Sequence, residues 1–279
     1  MNALTTEFKR LAPQSFDESE KARVSNLMRK FSPKVFFQME CGPYRIEVAT
    51  STEDLLKIIE LRRHSFIEDF ATAAEPGWID FDHFDILADH IIVKHIDTKE
   101  ILGSYRVICT DYSSRFYSGE EFDIARILNL PGVKIELGRA CVHRDHRNGV
   151  TLNLVWKGLA RYASLVGARF LFGCASVKTI SPDIAYSMYW HLYPLFFNSQ
   201  IAAKVTPRYL CPRPSNFDSL PGWQTVEPQI PALLKSYLQA GAHICSEPAL
   251  DTFFSCVDFL ISLDLNAVHP KYSKRYFFA

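Results

Sequence analysis

The chain has 279 residues, 48% of them hydrophobic, and its 31 basic and 31 acidic side chains cancel to a formal net charge of zero. That length holds one large domain or two small ones with a sizeable core. A balanced charge offers no bulk attraction for nucleic acid, so no nucleic-acid partner is expected.

Seven cysteines, at 41, 109, 141, 174, 211, 245 and 256, are scattered and never form CxxC. Most sit in apolar runs, which points to reduced, buried thiols of a cytoplasmic protein rather than a disulfide frame or a zinc site. The first residues lack the apolar core of a secretory signal, and no apolar run reaches the roughly 18–20 residues of a spanning helix.

Residues 1–40 are set apart as a helical extension. Val24, Leu27, Met28 and Phe31 share one helical face, and Ser32-Pro33 stops it. The basic residues Lys21, Arg23, Arg29, Lys30 and Lys34 read as the solvated face of a packed helix or as a membrane-surface or carrier-docking face. Residues 41–279 carry an α/β pattern. Tyr44 to Ala49 alternates as a strand, and Ser51 or Thr52 caps a helix through LLKIIELRRHSF. Glu75-Pro76-Gly77 breaks the chain, and HIIVKHI pairs with ILGSYRVI as a hairpin. A short helix runs from Ser118 to Leu128. After the stretch Val133 to Ser176, Ser181-Pro182-Asp183 opens a helix into IAYSMYWHLYPLFF. Residues 205–231 read as a long loop, ALLKSYLQAG as a helix stopped by Gly241, and FFSCVDFLISL as a buried strand interrupted by Asp258. This order predicts a mixed sheet with helices on both faces.

The stretch Val133 to Ser176 holds the chemistry. An apolar strand carries Glu136 and Arg139. A turn follows, from Val142 and His143 through Arg144, Arg147, Asn148 and Gly149 to Thr151, then a helix, then an apolar strand ending in Cys174, Ala175 and Ser176. The first amides of a helix lack intrahelical partners and bind phosphate; Gly149 permits close approach, and the two arginines add charge. The bland alternative is a loop with exposed arginines. His143-Arg144-Asp145 is not a kinase catalytic loop, because Val150 stands where that motif needs Asn. No Cys/His cluster has metal-ligand spacing, so no metal is expected. On the helix, Leu152, Val155, Trp156, Leu159 and Ala163 should face the sheet. Asn153, Lys157 and Arg161 form a stripe that is either solvated or, with Arg144 and Arg147, docks an acidic protein.

Glu136 and Arg139 interrupt a strand that should be buried. Three apart, they point to opposite faces unless a bulge near Gly138 intervenes. Glu136 reads as half of a structural salt bridge with Arg139 or Arg106, or as a base of raised pKa. Upstream, Arg62, Trp78, Asp82 and Asp85 read as a surface turn with aromatic plugs or as a cation-binding wall for an amino acid's ammonium group.

The motifs LRRHSF, DFDHFDILADHIIV, ILGSYRV, FDIARIL, ELGRACVHRDHR, LVWKGLARY and FGCAS resemble the GCN5-related N-acyltransferase fold, in its acyl-carrier-protein-using branch. From about Tyr44 onward the chain is similar to the ornithine-lipid type, hemolysin-like N-acyltransferases, most specifically in IPALLKSYLQAGAHICSEPALDTFFSCVDFLISLDL. Acyl-homoserine-lactone synthases are similar at Arg62, Phe66, Asp82, Asp85, Arg106, Glu136 and Arg139 but lack that tail. The resemblance implies a mixed α/β sheet flanked by helices and direct attack of an amino acid's α-amine on a carrier-bound long-chain, 3-hydroxyacyl thioester. No resident cofactor and no cysteine nucleophile are then needed. In this reading Glu136 is the general base, and Arg139 orients it or the acceptor carboxylate. Arg62, Phe66, Trp78, Asp82, Asp85, Arg106, Cys174 and Ser176 contact substrate. Amides near Val142 and His143 polarise the thioester, the Arg144 to Thr151 turn takes the phosphopantetheine phosphate, and Lys157 and Arg161 dock the carrier. The single glycine in that turn favours a carrier protein over coenzyme A as donor. The aromatic run Tyr189 to Phe197 is expected to line the acyl tunnel and core, with an edge that reaches the inner-membrane surface.

Overall fold

The structure, a computed structural model, describes residues 22, 26, 29, 31–70 and 79–277. The expected N-terminal helix, the Glu75-Pro76-Gly77 break and Trp78 lie outside the described residues.

A hairpin begins the sheet: β1 (Gln38–Cys41) pairs with β2 (Tyr44–Val48) across Gly42, whose φ of +60° a glycine adopts without strain. The sheet therefore reaches back before residue 41. Helix α1 (Thr52–Phe70) follows, with Glu53 and Asp54 in its first turn and the Ser51 hydroxyl accepting from the Asp54 amide at 3.0 Å. Strands β3 (Asp89–His95) and β4 (Ile101–Cys109) form the expected hairpin. Next come β5 (Val133–Val142), α2 (Val150–Leu165) and β6 (Ala168–Val177), then α3 (Pro182–Phe196) and α4 (Ala232–Ala240), the latter stopped by Gly241 at φ +105°. Strands β7 (His243–Ile244), β8 (Ala249–Asp251) and β9 (Cys256–Asp264) complete the sheet, in the order β1-β2-β3-β4-β5-β6-β9-β7 with β8 also paired to β9.

Each face of the sheet has its own cover. Ile91, Val93, Tyr105 and Val107 pack with Val155, Trp156 and Leu159 of α2. The alternate residue Ile92 packs with Leu55, Ile58 and Ile59 of α1 on the other face. This is the period-two alternation of strands meeting the 3.6-residue stripe of helices, and each such aliphatic side chain contributes about 1.5–3 kcal/mol by its burial. α2 lies close on the sheet: a Cβ on Gly158 would stand 2.7 Å from methyls of Ile46 and Ile91. Among the described residues no helix is long and apolar enough to cross a membrane.

Three details differ from the sequence reading. β1, β7 and β8 are too short to announce themselves by periodicity. The stretch Ser118 to Leu128 is two single turns, Ser118–Glu121 and Ala125–Leu128, because Phe122 is extended and bridges to Val205. The run Tyr189 to Phe197 does not line the internal cavity. Tyr189 and Leu192 are buried in the core, while Trp190, Tyr193 and Leu195 are exposed.

Two irregularities in β5 position everything that follows. β5 and β6 pair in parallel only from Val133 to Glu136, and beyond that point they separate. They cross tightly at Gly173, where a Cβ would come within 2.2 Å of the Leu137 carbonyl oxygen. On the other edge, the register with β4 shifts between Ser104 and Arg106, so Arg139 and Ala140 both stand opposite Tyr105. This is the bulge that the sequence required near Gly138, with Arg139 at φ +52°.

Candidate active site

The gap between the separated strands opens into a cavity of about 450 Å³. It passes through the sheet, because residues of both faces line it. On the α2 side it is apolar, with Leu137, Leu171, Leu234, Ile261 and Leu263 around the buried hydroxyl pair of Tyr105 and Tyr237, 2.7 Å apart. On the other side it is polar, with Glu136, Arg139, Cys174, Ser176 and Asp258.

Glu136 is buried, and its two oxygens accept from the Tyr117 amide at 2.9 Å and the Ser118 amide at 2.6 Å. The carboxylate thus satisfies the start of the turn Ser118–Glu121, as a capping residue would. Burial raises its pKa; the two amides, the Ser118 hydroxyl and the charge of Arg106 offset part of that rise. Arg139 is bound elsewhere. Its Nε donates to Asp80 at 3.2 Å and its Nη2 to Asp82 at 3.4 Å, and its guanidinium lies 4.8 Å from the rings of both Tyr117 and Phe254.

Behind Arg139 lies a buried ion network. Arg106 donates to Asp82 at 2.8 Å and to Asp85 at 3.3 Å, and Arg62 donates to Asp85 at 2.7 Å. Burial alone would raise the pKa of Asp85, but the charges of Arg62 and Arg106 hold it far below the carboxylate range. Burial and Arg62 push His90 down to about 3. Its neutral ring accepts from Arg62 at Nδ1 and donates to the Asp85 carbonyl from Nε2.

Arg62, Asp82, Asp85 and Arg106 therefore do not line the cavity, and Asp82 and Asp85 do not form an open wall for an ammonium group: arginines already occupy them. They hold Arg139 in place. Phe66, Cys174 and Ser176 do line the cavity. Burial, with Glu121 and Asp258 nearby, lifts the Cys174 thiol well above its ordinary pKa, so it is not a nucleophilic thiolate.

The basic turn lies at the end of β5. Gly149, at φ +82°, precedes the first residue of α2, and Arg144, Arg147, Asn148 and Gly149 are exposed. The Asn148 side chain accepts from the Val150 amide at 3.0 Å, and Arg147 Nε donates to the Val142 carbonyl at 3.2 Å. Two expectations change here. Thr151 is buried, its methyl directed at Gly103 of β4. The His143 amide is taken by the Leu102 carbonyl at 2.8 Å, so alternation turns the Val142 amide toward the opened gap instead. Arg161 is exposed on α2, whereas Lys157 is half-buried with its ammonium 3.7 Å from the Cys41 sulfur.

Sequence reasoning missed Tyr117, Asp80, Glu121 and Asp251. Asp258 gave the same signal as Glu136, a lone acid in an apolar strand. Glu121, in SGEEF, looked like any acidic first turn.

A parallel strand pair that splays beside a β-bulge, with a basic turn leading into the following helix, is the arrangement of the GCN5-related N-acyltransferase class. Residues 61–157 match the acetyltransferase (GNAT) domain. The L-ornithine N(alpha)-acyltransferase of Rhizobium meliloti is 30% identical over 253 residues, covering 82% of each chain. That of Rhodobacter capsulatus is 26% identical over 258 residues, covering 84% of this chain and 94% of its own. The crystal structure of the AHL synthase LasI superposes with a TM-score of 0.47 at 12% identity, covering 88% of this chain and 97% of its own. The protein is an N-acyltransferase, and it belongs to the family of the L-ornithine N(alpha)-acyltransferases.

Proposed function

We propose that the protein moves a long-chain 3-hydroxyacyl group from acyl-carrier-protein thioester to the α-amine of ornithine, giving a lyso-aminolipid. The observation that carries this reading is the cavity through the sheet, apolar on one side and charged on the other. An acyl chain fits the side of Leu137, Leu171 and Tyr237, and an amino acid the side of Glu136 and Arg139. The thioester carbon then lies in the gap between β5 and β6, which is open to both.

Arg139, rigid in its ion network, takes the acceptor carboxylate. Glu136 retains unused lone pairs on both oxygens and accepts the ammonium proton, directly or through water. The amine attacks the thioester carbonyl, and the Val142 amide donates to the developing oxyanion. Collapse expels the phosphopantetheine thiolate, which takes the proton that the attacking nitrogen gives up as the neutral amide forms. The phosphodiester rests on the exposed turn of Arg144, Arg147 and Gly149 at the start of α2, with the exposed Arg161 facing the acidic carrier. The exposed Trp190, Tyr193 and Leu195 form the edge that meets the cytoplasmic face of the inner membrane, where the product is delivered.

The test is an acceptor scan. The protein is incubated with 3-hydroxyacyl carrier protein or with the matching coenzyme A thioester, and with each amino acid in turn, and products are read by mass spectrometry. Acyl-ornithine from the carrier donor is expected. No acyl-amino acid from either donor refutes the reading, and product from coenzyme A alone refutes the carrier.

A further inference from the structure

The polar side of the cavity holds a second group of acids. Glu121, Asp251 and Asp258 converge there, all buried, with one carboxylate oxygen of each within 4.8 Å of the others. Two of them have regular partners. Asp251 accepts from the amides of Phe253 at 2.8 Å and Phe254 at 3.0 Å, and Asp258 accepts from the Ser176 hydroxyl at 2.6 Å. Glu121 differs. It is 0% exposed, and among the described residues neither of its oxygens has a hydrogen bond of regular geometry. The Tyr117 hydroxyl and the Cys174 thiol lie against it and offset only part of the cost of burial. A buried polar group left in that state needs an explanation, and an absent ligand is one.

Charge balance points the same way. Among the described residues, four carboxylates line the cavity, Glu121, Glu136, Asp251 and Asp258, against two cations, Arg139 and Lys178. Arg139 already serves Asp80 and Asp82, and Lys178 is exposed. Burial drives Glu121 well above its ordinary pKa and Asp258 to about 6; the neighbouring acids add to both, and Arg139 offsets only part of the rise at Asp258. The pocket is short of positive charge where its walls are most buried.

We infer that Glu121, Asp251 and Asp258 receive the side-chain ammonium of the acceptor and so select amino acids that carry a second amine. The inference rests on the acyl-transfer reading above and deepens it. An ammonium group offers three N–H donors, one for each carboxylate. The rings of Tyr117 and Phe254, which also flank Arg139, make an aromatic wall suited to an organic cation. Arg139 and Asp258 sense each other's charge and line one cavity. An amino acid with its carboxylate on Arg139 and its far ammonium on the acid cluster is held at both ends, with its α-amine between them. A site built to pair a polar group rejects the analogue that lacks it, because its own buried acids are then left unpaired.

Binding without donor tests this apart from turnover. Titration calorimetry is run with ornithine, lysine and norvaline on the wild type, Glu121→Gln and Asp258→Asn. Ornithine is expected to bind the wild type on the order of 100-fold more tightly than norvaline, and both variants to narrow that ratio to less than about 10-fold. Glu121→Gln should melt at or above the wild-type temperature, since it replaces a buried acid whose ionised form is penalised by burial and by the neighbouring acids. Equal affinity for ornithine and norvaline in the wild type, or an unchanged ratio in both variants, overturns the inference. The same titration with Mg²⁺ or Mn²⁺ alone distinguishes the other cation source. Metal binding lost in Glu121→Gln, with ornithine preference abolished by chelator, would assign the cluster to a metal and overturn it as well. Selective ornithine binding without acyl transfer to any amino acid would refute the proposed function and leave the cation site standing.

Discussion

Glu136 and Arg139 are three residues apart on β5 and yet meet the same residue, Tyr117, one through its backbone amide and the other through its ring. The Tyr117 amide donates to Glu136 at 2.9 Å, and its ring lies 4.8 Å from the Arg139 guanidinium. The bulge at Arg139 and Ala140 makes this possible by shifting the second residue onto the face of the first. The two charged groups share a face without pairing with each other. Glu136→Gln should therefore lower kcat by about 10²–10⁴ while acceptor affinity changes little. It should also cost about 1–3 kcal/mol of stability, because one of two buried amides loses its acceptor. Steady-state kinetics beside thermal melting checks both, and an unchanged kcat removes Glu136 as the base.

Arg62 lies behind the site rather than in it, and its substitution should show as instability. Arg62→Ala leaves Asp85 paired only with Arg106 and is expected to cost about 3–5 kcal/mol. Denaturant unfolding measures it. A variant that keeps wild-type stability but loses acceptor affinity would return Arg62 to direct substrate contact.

The crossing of β5 and β6 tolerates no side chain at position 173. In Gly173→Ala the new Cβ would stand 2.2 Å from the Leu137 carbonyl oxygen, so the strands must move apart or the gap must change shape. A loss of several kcal/mol is expected, as for overpacking against backbone, with little residual acyl transfer. Full activity in this variant would mean that the splay does not define the reaction centre.

Stability should depend on pH in an unusual direction. Burial raises Asp258 to about 6, with Asp251 adding to the rise and the Ser176 hydrogen bond and Arg139 opposing it. Glu121 and Glu136 are raised as well. In the window from about pH 4 to 6 the native state holds a proton at Asp258 that the unfolded chain has released. Stability from this group is present at low pH and is lost as pH rises through 6, on the order of 1–3 kcal/mol. The neighbouring thiols of Cys174 and Cys256 and the Tyr117 phenol are pushed up, away from this window. Asp85, held far down, has the opposite sign, but its loss comes at much lower pH. Melting temperatures of the wild type and Asp258→Asn at pH 5 and 7.5 isolate the effect. The wild type should lose more than the variant on going to pH 7.5, and parallel shifts contradict the assignment.

Much of the fold was legible because periodicity reports burial. The hairpin of β3 and β4, the unit β5–α2–β6 and the terminal β9 all emerged from alternation, caps and stop signals. The bulge followed from a single demand, that two charges in one apolar strand share a face. What escaped detection is tertiary in origin. Asp82 and Asp85 look like ligands in sequence, and only the fold shows Arg62 and Arg106 already occupying them. Glu121 has no local mark of the cluster it joins, since Asp251 and Asp258 reach it from β8 and β9, which lie far along the chain. The His143 amide could be discounted only once the register against Leu102 was known.

The central claim is direct transfer across the sheet, from a thioester on one side to an amine on the other, without an acyl-enzyme. Intact-protein mass spectrometry during a single turnover tests it most directly. With 3-hydroxyacyl carrier protein and no acceptor, the account predicts an unmodified enzyme. On adding ornithine it predicts one acyl-ornithine for each carrier thiol released. An enzyme that gains the acyl mass before acceptor is added, at Cys174 or elsewhere, would contradict it.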